Sequence, residues 1–161
     1  MYGGIGRSSG LWPVLPVNEV LIIWWHSFQM VTDPASNLAH GGDLTYRIIG
    51  LAMRVHRRLG PGLLKNIYET CLCHELDRNE IPFRRQVSLP VTYDDVVLDV
   101  AYVADIIVED KVILEIKSVE CLLPVHHAQL LTYLHLTPCR IGLLLNFNTV
   151  SLTDGLKRCV L

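Results

Sequence analysis

Three ionisable residues interrupt the apolar runs of YVADIIVEDKVILEIKSVE, from Tyr102 to Glu120: Asp105 in the first run, Glu115 and Lys117 in the second. A charge on a buried strand is costly unless it is paired or binds a metal. Strand side chains alternate between faces, so Glu115 and Lys117 point the same way, with Ile116 opposite. An Asp followed on the next strand by Glu-x-Lys supplies two hard oxygen ligands for Mg²⁺ or Mn²⁺, with an ammonium beside them. That trio suits metal-assisted phosphodiester cleavage. Asp105 and Glu115 would hold the cation, and Lys117 would orient or help deprotonate the attacking water. The competing reading is a structural ion pair, Lys117 with Glu115 or Asp105, near a sheet edge; a motif this short often arises by chance.

For that chemistry the two carboxylates must share a face, and the turn between the strands decides whether they do. A two-residue loop, Glu109-Asp110, would pair Val108 with Lys111 and leave Asp105 and Glu115 on opposite faces. A three-residue loop, Glu109 to Lys111, pairs Val108 with Val112 and sets Asp105 opposite Glu115, with Cβ atoms about 5 Å apart. A metal site predicts the three-residue loop, or a shorter one with a compensating bulge.

The elements that would position these strands follow from pattern. Asp43 or Thr45 can cap a helix whose apolar residues Ile48, Leu51, Ala52, Val55 and Leu59 keep the 3.6 period. Arg47, Arg54, Arg57 and Arg58 lie on its other face, and Gly60-Pro61-Gly62 ends it. A second helix is predicted from about Leu63 to Asn79, with Leu64, Ile67, Cys71, Leu72 and Leu76 on its buried stripe. Strands follow over Gln86–Tyr93, over Val96–Val108 as one long strand or two with a bend, and over Lys111–Lys117. Leu123-Pro124 opens a helix to about Leu136. Ile141–Phe147 is apolar without alternation, as in a strand covered on both faces. Val150–Leu152 and Leu156–Leu161 read as a closing hairpin or strand. The helix between Lys117 and Ile141 is a crossover long enough to make its flanking strands parallel. The fold class is α/β, a mixed sheet flanked by helices, with two helices N-terminal to the strands.

On the crossover helix His126, Gln129 and Tyr133 form one stripe, while Leu130, Leu131 and Leu134 face the core. Gln129 is the candidate there to hold a phosphate or a metal-bound water, Tyr133 to hydrogen-bond a nucleic-acid backbone. His127 reads as surface. Arg54, His56, Arg57, Arg58, Arg84 and Arg85 could track phosphates or simply be solvated.

The chain has 161 residues, half of them apolar, and a net charge of −2 from 14 basic and 16 acidic residues. One domain with a real core is expected, and a generally basic nucleic-acid-coating protein is excluded. Residues 1–43 differ in composition and read as a poorly ordered extension ahead of a domain over 44–161. Their apolar run Val20–Trp25 is too short to span a bilayer. The five cysteines form an odd set without a CxxC pair, as in a reduced, cytoplasmic protein. Cys71-x-Cys73-His74 fits no common zinc spacing.

Several stretches, in order, resemble the GxxExxY family of the PD-(D/E)xK nuclease superfamily: IIGLAMRVHRRLGPGLLKNIYE, RRQVSLPVTY, YVADIIVEDKVILEIKSVE, PVHHAQLLTYLHLT and IGLLLNFNTVSLTDGLKR. The resemblance implies a restriction-endonuclease-like fold and a metal-dependent nuclease-type site at Asp105, Glu115 and Lys117, with Gln129 in support and nucleic acid as partner. The family's name motif falls on Gly62-x-x-Lys65-x-x-Tyr68, so a lysine stands at the glutamate position. That swings the local charge by two units; at ~6 Å and an effective dielectric near ~20, each unit pair is worth roughly 3 kcal/mol. Glu69, one turn on, could substitute only through a helix shift or a bridging water.

Overall fold

The computed structural model describes residues 42–161, without the side chains of 42, 43 and 99–101. Nearly all of the expected extension, with its Val20–Trp25 run, lies outside the described residues. The elements run α1 (Gly42–Leu59), α2 (Lys65–Arg78), β1 (Phe83–Tyr93), β2 (Val96–Val108), β3 (Val112–Lys117), α3 (Pro124–His135), β4 (Ile141–Asn146) and β5 (Leu156–Val160). The strands form a five-stranded sheet in sequence order. β3 and β4 are parallel, joined by the α3 crossover, and the other pairs are antiparallel. The architecture is α/β and restriction-endonuclease-like.

Two apolar layers cover the sheet. Ile48, Leu51, Ala52 and Val55 of α1 and Tyr68, Leu72 and Leu76 of α2 pack with Ile106, Val108, Leu114, Ile116 and Leu143 on one face. Leu130, Leu131, Tyr133 and Leu134 of α3 pack with Ala104, Ile107, Ile113 and Leu144 on the other. β3 and β4 are covered on both faces, which is why their sequences lack alternation.

The stripe expected on α2 is corrected. Leu64 precedes the helix and is exposed, as is Ile67, whereas Tyr68 is buried. Tyr68 sets the helix rotation. Its ring stacks on Phe147 with centroids 4.6 Å apart. Its hydroxyl donates to the Gly60 carbonyl at 2.7 Å and accepts from the Leu63 amide at 3.0 Å. This pins the Gly60–Gly62 turn, whose two glycines have φ of 68° and 97°, a region that costs glycine nothing. Leu59 is likewise exposed, and α1 begins at Gly42, so Thr45 lies inside the helix rather than at its cap. Residues 150–152 form no strand; only Leu156–Val160 pairs with β4.

The β1–β2 hairpin changes face midway. Phe83, Ile106 and Val108 pack toward α1 and α2, but Val87, Leu89, Val91 and Ala104 pack toward α3. Residues two apart should share a face, so each strand has flipped at one rung. The ladder pairs Arg85 with Ile106 and then Val87 with Ala104, leaving out Gln86 and Asp105 between them. Gln86 takes up the irregularity with φ of 51°. At the same rung β2 parts from β3, whose ladder with it runs only through Ile106↔Leu114, Ile107↔Ile113 and Val108↔Val112.

Candidate active site

The β2–β3 register is that of the three-residue loop: Val108 pairs with Val112, and Glu109 and Asp110 both have positive φ. Continued by one residue, it sets Asp105 opposite Glu115. In place of the next rung, Asp105 Oδ2 accepts the Ile116 amide at 2.8 Å. Both carboxylates are buried, Asp105 at 3% exposure and Glu115 at 1%.

From β3, Lys117 Nζ donates to Glu115 Oε1 at 2.7 Å and to Gln129 Oε1 of α3 at 2.9 Å. Gln129 Nε2 in turn donates to the Tyr133 hydroxyl at 2.5 Å. Burial, reinforced by the nearby Glu115 charge, pushes the Tyr133 phenol up to about 12, so it stays neutral. Lys117 is held from its C-terminal side as well. Phe147 donates its amide to the Lys117 carbonyl at 2.9 Å, and buried Asn146 clasps both backbone groups of Val119.

From the other side comes α2. Lys65 Nζ lies 2.7 Å from Asp105 Oδ1. Glu69, buried at 3% exposure, accepts from Arg85 Nε at 2.5 Å and from Gln86 Nε2 at 2.8 Å. Gln86 Nε2 also reaches Asp105 Oδ1 at 3.4 Å. The cluster therefore holds Glu69, Asp105 and Glu115 against Lys65, Arg85 and Lys117, and its formal charges cancel.

One atom is left over. Glu115 Oε2 is buried without a hydrogen-bond partner. Burial, and then the Asp105 charge, raise the Glu115 carboxyl above its ordinary range, with Lys117 pulling it back. A buried carboxylate oxygen without a donor is costly, and a cation is what would satisfy it. Asp105 and Glu115 are the carboxylates here whose chemistry suits a hard divalent ion, and Lys65 now occupies Asp105 Oδ1. Among the described residues no group of three or more His, Cys, Asp or Glu side chains is placed to hold a metal.

Of the four site residues expected from sequence, Glu115, Lys117 and Gln129 form one hydrogen-bonded chain, whereas Asp105 is bonded to Lys65 and to the Ile116 amide between Glu115 and Lys117. Tyr133 joins that chain but is buried, its hydroxyl bonded to Gln129 rather than turned outward to a nucleic-acid backbone. His126 does not join; its Nδ1 accepts the Leu123 amide at the start of α3, 3.1 Å away. His127 is half-buried rather than surface. Cys71, Cys73 and His74 do not converge on a ligand position, since Cys73 is buried and His74 exposed. Several candidate phosphate trackers are engaged elsewhere. Arg54 and Arg58 pair with Glu75, Arg84 with Asp110 and Arg85 with Glu69. His56 is buried and donates to the Thr149 carbonyl at 2.8 Å. Gln86 was not singled out by sequence, because a positive φ at a non-glycine residue has no sequence signature.

A sequence profile of the PD-(D/E)XK nuclease superfamily matches residues 42–159, and the chain belongs to that superfamily. No curated protein and no solved structure matches it. Among the described residues no helix is long and apolar enough to cross a membrane.

Proposed function

We propose that this domain is a divalent-metal-dependent phosphodiesterase acting on nucleic acid, of the GxxExxY type within its superfamily, whose metal position is contested by its own Lys65. The observation that carries this reading is the bonded chain Glu115–Lys117–Gln129, ending in a buried Glu115 oxygen without a donor. Bound Mg²⁺ or Mn²⁺ would supply Lewis-acid polarisation of a phosphoryl oxygen and an acidified water. Asp105 and Glu115 would hold the ion. Lys117, fixed by Glu115 and Gln129, would use its remaining N–H to orient an attacking water or a phosphate oxygen. Lys65 serves as a tethered counter-ion that keeps Asp105 neutralised and must be displaced on loading.

The test is calorimetric titration of Mg²⁺ and Mn²⁺ into the full chain, followed by a plasmid-nicking assay with Asp105→Asn as control. Millimolar or tighter binding, and nicking lost in the Asp105→Asn variant, are expected. Absence of metal binding and of nicking would sink the reading. The Lys65–Asp105 ion pair favours a second one, a catalytically silent domain that keeps the fold and binds nucleic acid or a protein. Retained nucleic-acid binding without cleavage or metal dependence would support it.

A further inference from the structure

The hairpin flips face at one rung, and the residue that carries the flip is not a glycine. Gln86 adopts φ of 51°, a conformation that strains an L side chain and persists only where surrounding structure enforces it. Its own side-chain packing does not enforce it, for Gln86 is exposed. The carboxamide instead turns inward and donates from one nitrogen to two buried carboxylates, Glu69 at 2.8 Å and Asp105 at 3.4 Å. An amide nitrogen carries two hydrogens, so one can serve each anion. These carboxylates come from different layers, α2 and β2, and among the described residues no other side chain hydrogen-bonds both: Arg85 bonds Glu69, and Lys65 bonds Asp105.

We infer that Gln86 is a positioning residue, a neutral clamp that fixes the Asp105 carboxylate relative to Glu69 without adding charge to the cluster. This rests on the proposed metal site for its purpose, though not for its geometry. Outer hydrogen bonds that orient a metal-binding carboxylate typically matter about 10–100-fold in affinity. A cation in place of Gln86 would overcompensate the cluster, and a carboxylate would add a third repelling anion beside Asp105. An amide avoids both.

Two arms test this on the full chain. In ¹H–¹⁵N spectra the Gln86 side-chain amide should show two well-separated protons; Asp105→Asn should move one and Glu69→Gln the other. In Mn²⁺ titrations, Gln86→Ala and Gln86→Gly should each bind about tenfold more weakly, while the glycine variant melts above the alanine one because it relieves the left-handed φ. A Gln86 amide indifferent to both carboxylate substitutions would overturn the inference, as would undiminished Mn²⁺ affinity in both variants. If the unaltered chain binds no Mn²⁺, the proposed metal site falls and the spectra alone decide whether Gln86 clamps the two carboxylates.

Discussion

Helix α2 buries two glutamates, Glu69 and Glu75, at 3% and 4% exposure, and they end in different chemistry. Glu75 faces α1, where Arg54 and Arg58 reach it at 3.1 and 3.8 Å from largely solvated positions. Among the described residues both arginine side chains are exposed and reach no further carboxylate, so the pair is a helix–helix tie, worth little beyond satisfying the buried anion. Glu69 faces the sheet. Its partners, Arg85 and Gln86, sit at the rung where the hairpin flips, and Gln86 continues to Asp105. Burial and charge are the same at both positions. What separates them is whether the partner's next neighbour is solvent or another buried carboxylate.

The substitution that tests the contrast hardest is Lys65→Glu. It removes the ammonium on Asp105 and adds an anion, a swing of two units; with about half of it lost to solvent screening at this 41% exposed side chain, roughly 3 kcal/mol remains near ~6 Å, and metal affinity should rise about 100-fold. Without metal, the crowded carboxylates should lower the melting temperature, and Mn²⁺ should restore it. Equal Mn²⁺ affinity in variant and parent would show that Lys65 does not compete for the site.

Next in size come Glu69→Ala and Glu75→Ala. Each removes one buried acceptor and leaves a surface-reaching arginine that water can satisfy, so each should cost about 1 kcal/mol in chemical denaturation. Only Glu69→Ala should also weaken Mn²⁺ binding, by about tenfold through Gln86. A matching loss of affinity in Glu75→Ala would erase the distinction between the two glutamates.

The finest probe is Cys73, on the same helix between them. Burial pushes its thiol from 9.0 to about 11, with Arg85 pulling it down and Glu69 pushing it up. Glu69→Gln deletes the anion and leaves the Arg85 cation less compensated, so thiolate absorbance should appear at lower pH; Glu75→Gln should leave it unchanged. Linkage fixes the sign for stability. The native thiol keeps its proton while the unfolded chain loses one, so this contribution is whole below about pH 9 and declines as pH rises toward 11. Cys73→Ala should flatten that stretch of the stability–pH curve.

Much of this site could be read from the chain itself. Asp105, Glu115 and Lys117 announce themselves as charges within apolar runs, and the requirement that they converge selected the correct loop of three residues over two. The apolar periods located α1, α3 and the parallel β3–β4 pair. The rotation of α2 was misread because Tyr68 looks amphipathic in sequence; its burial depends on Phe147, nearly eighty residues away, and on a hydroxyl that satisfies the Gly60 turn. His56 was placed with the solvated arginines for the same reason, since its carbonyl partner at Thr149 is remote. The face flip was invisible because alternation before Gln86 and after it is each regular, and only the two layers of the core show that they are out of phase.

Where β2 parts from β3 there is a cost unrelated to chemistry. Beyond Asp105 no strand among the described residues pairs with the second edge of β2 over 96–104, and Tyr102 and Val103 are 43% and 41% exposed there. A free edge with apolar side chains is a template for another chain's strand. The outer strand β1 is guarded by Arg84, Arg85 and Pro90, whereas among the described residues no strand succeeds the departing β3 along this inner edge. The divergence that opens room for a site is thus also the place where self-association during folding would begin.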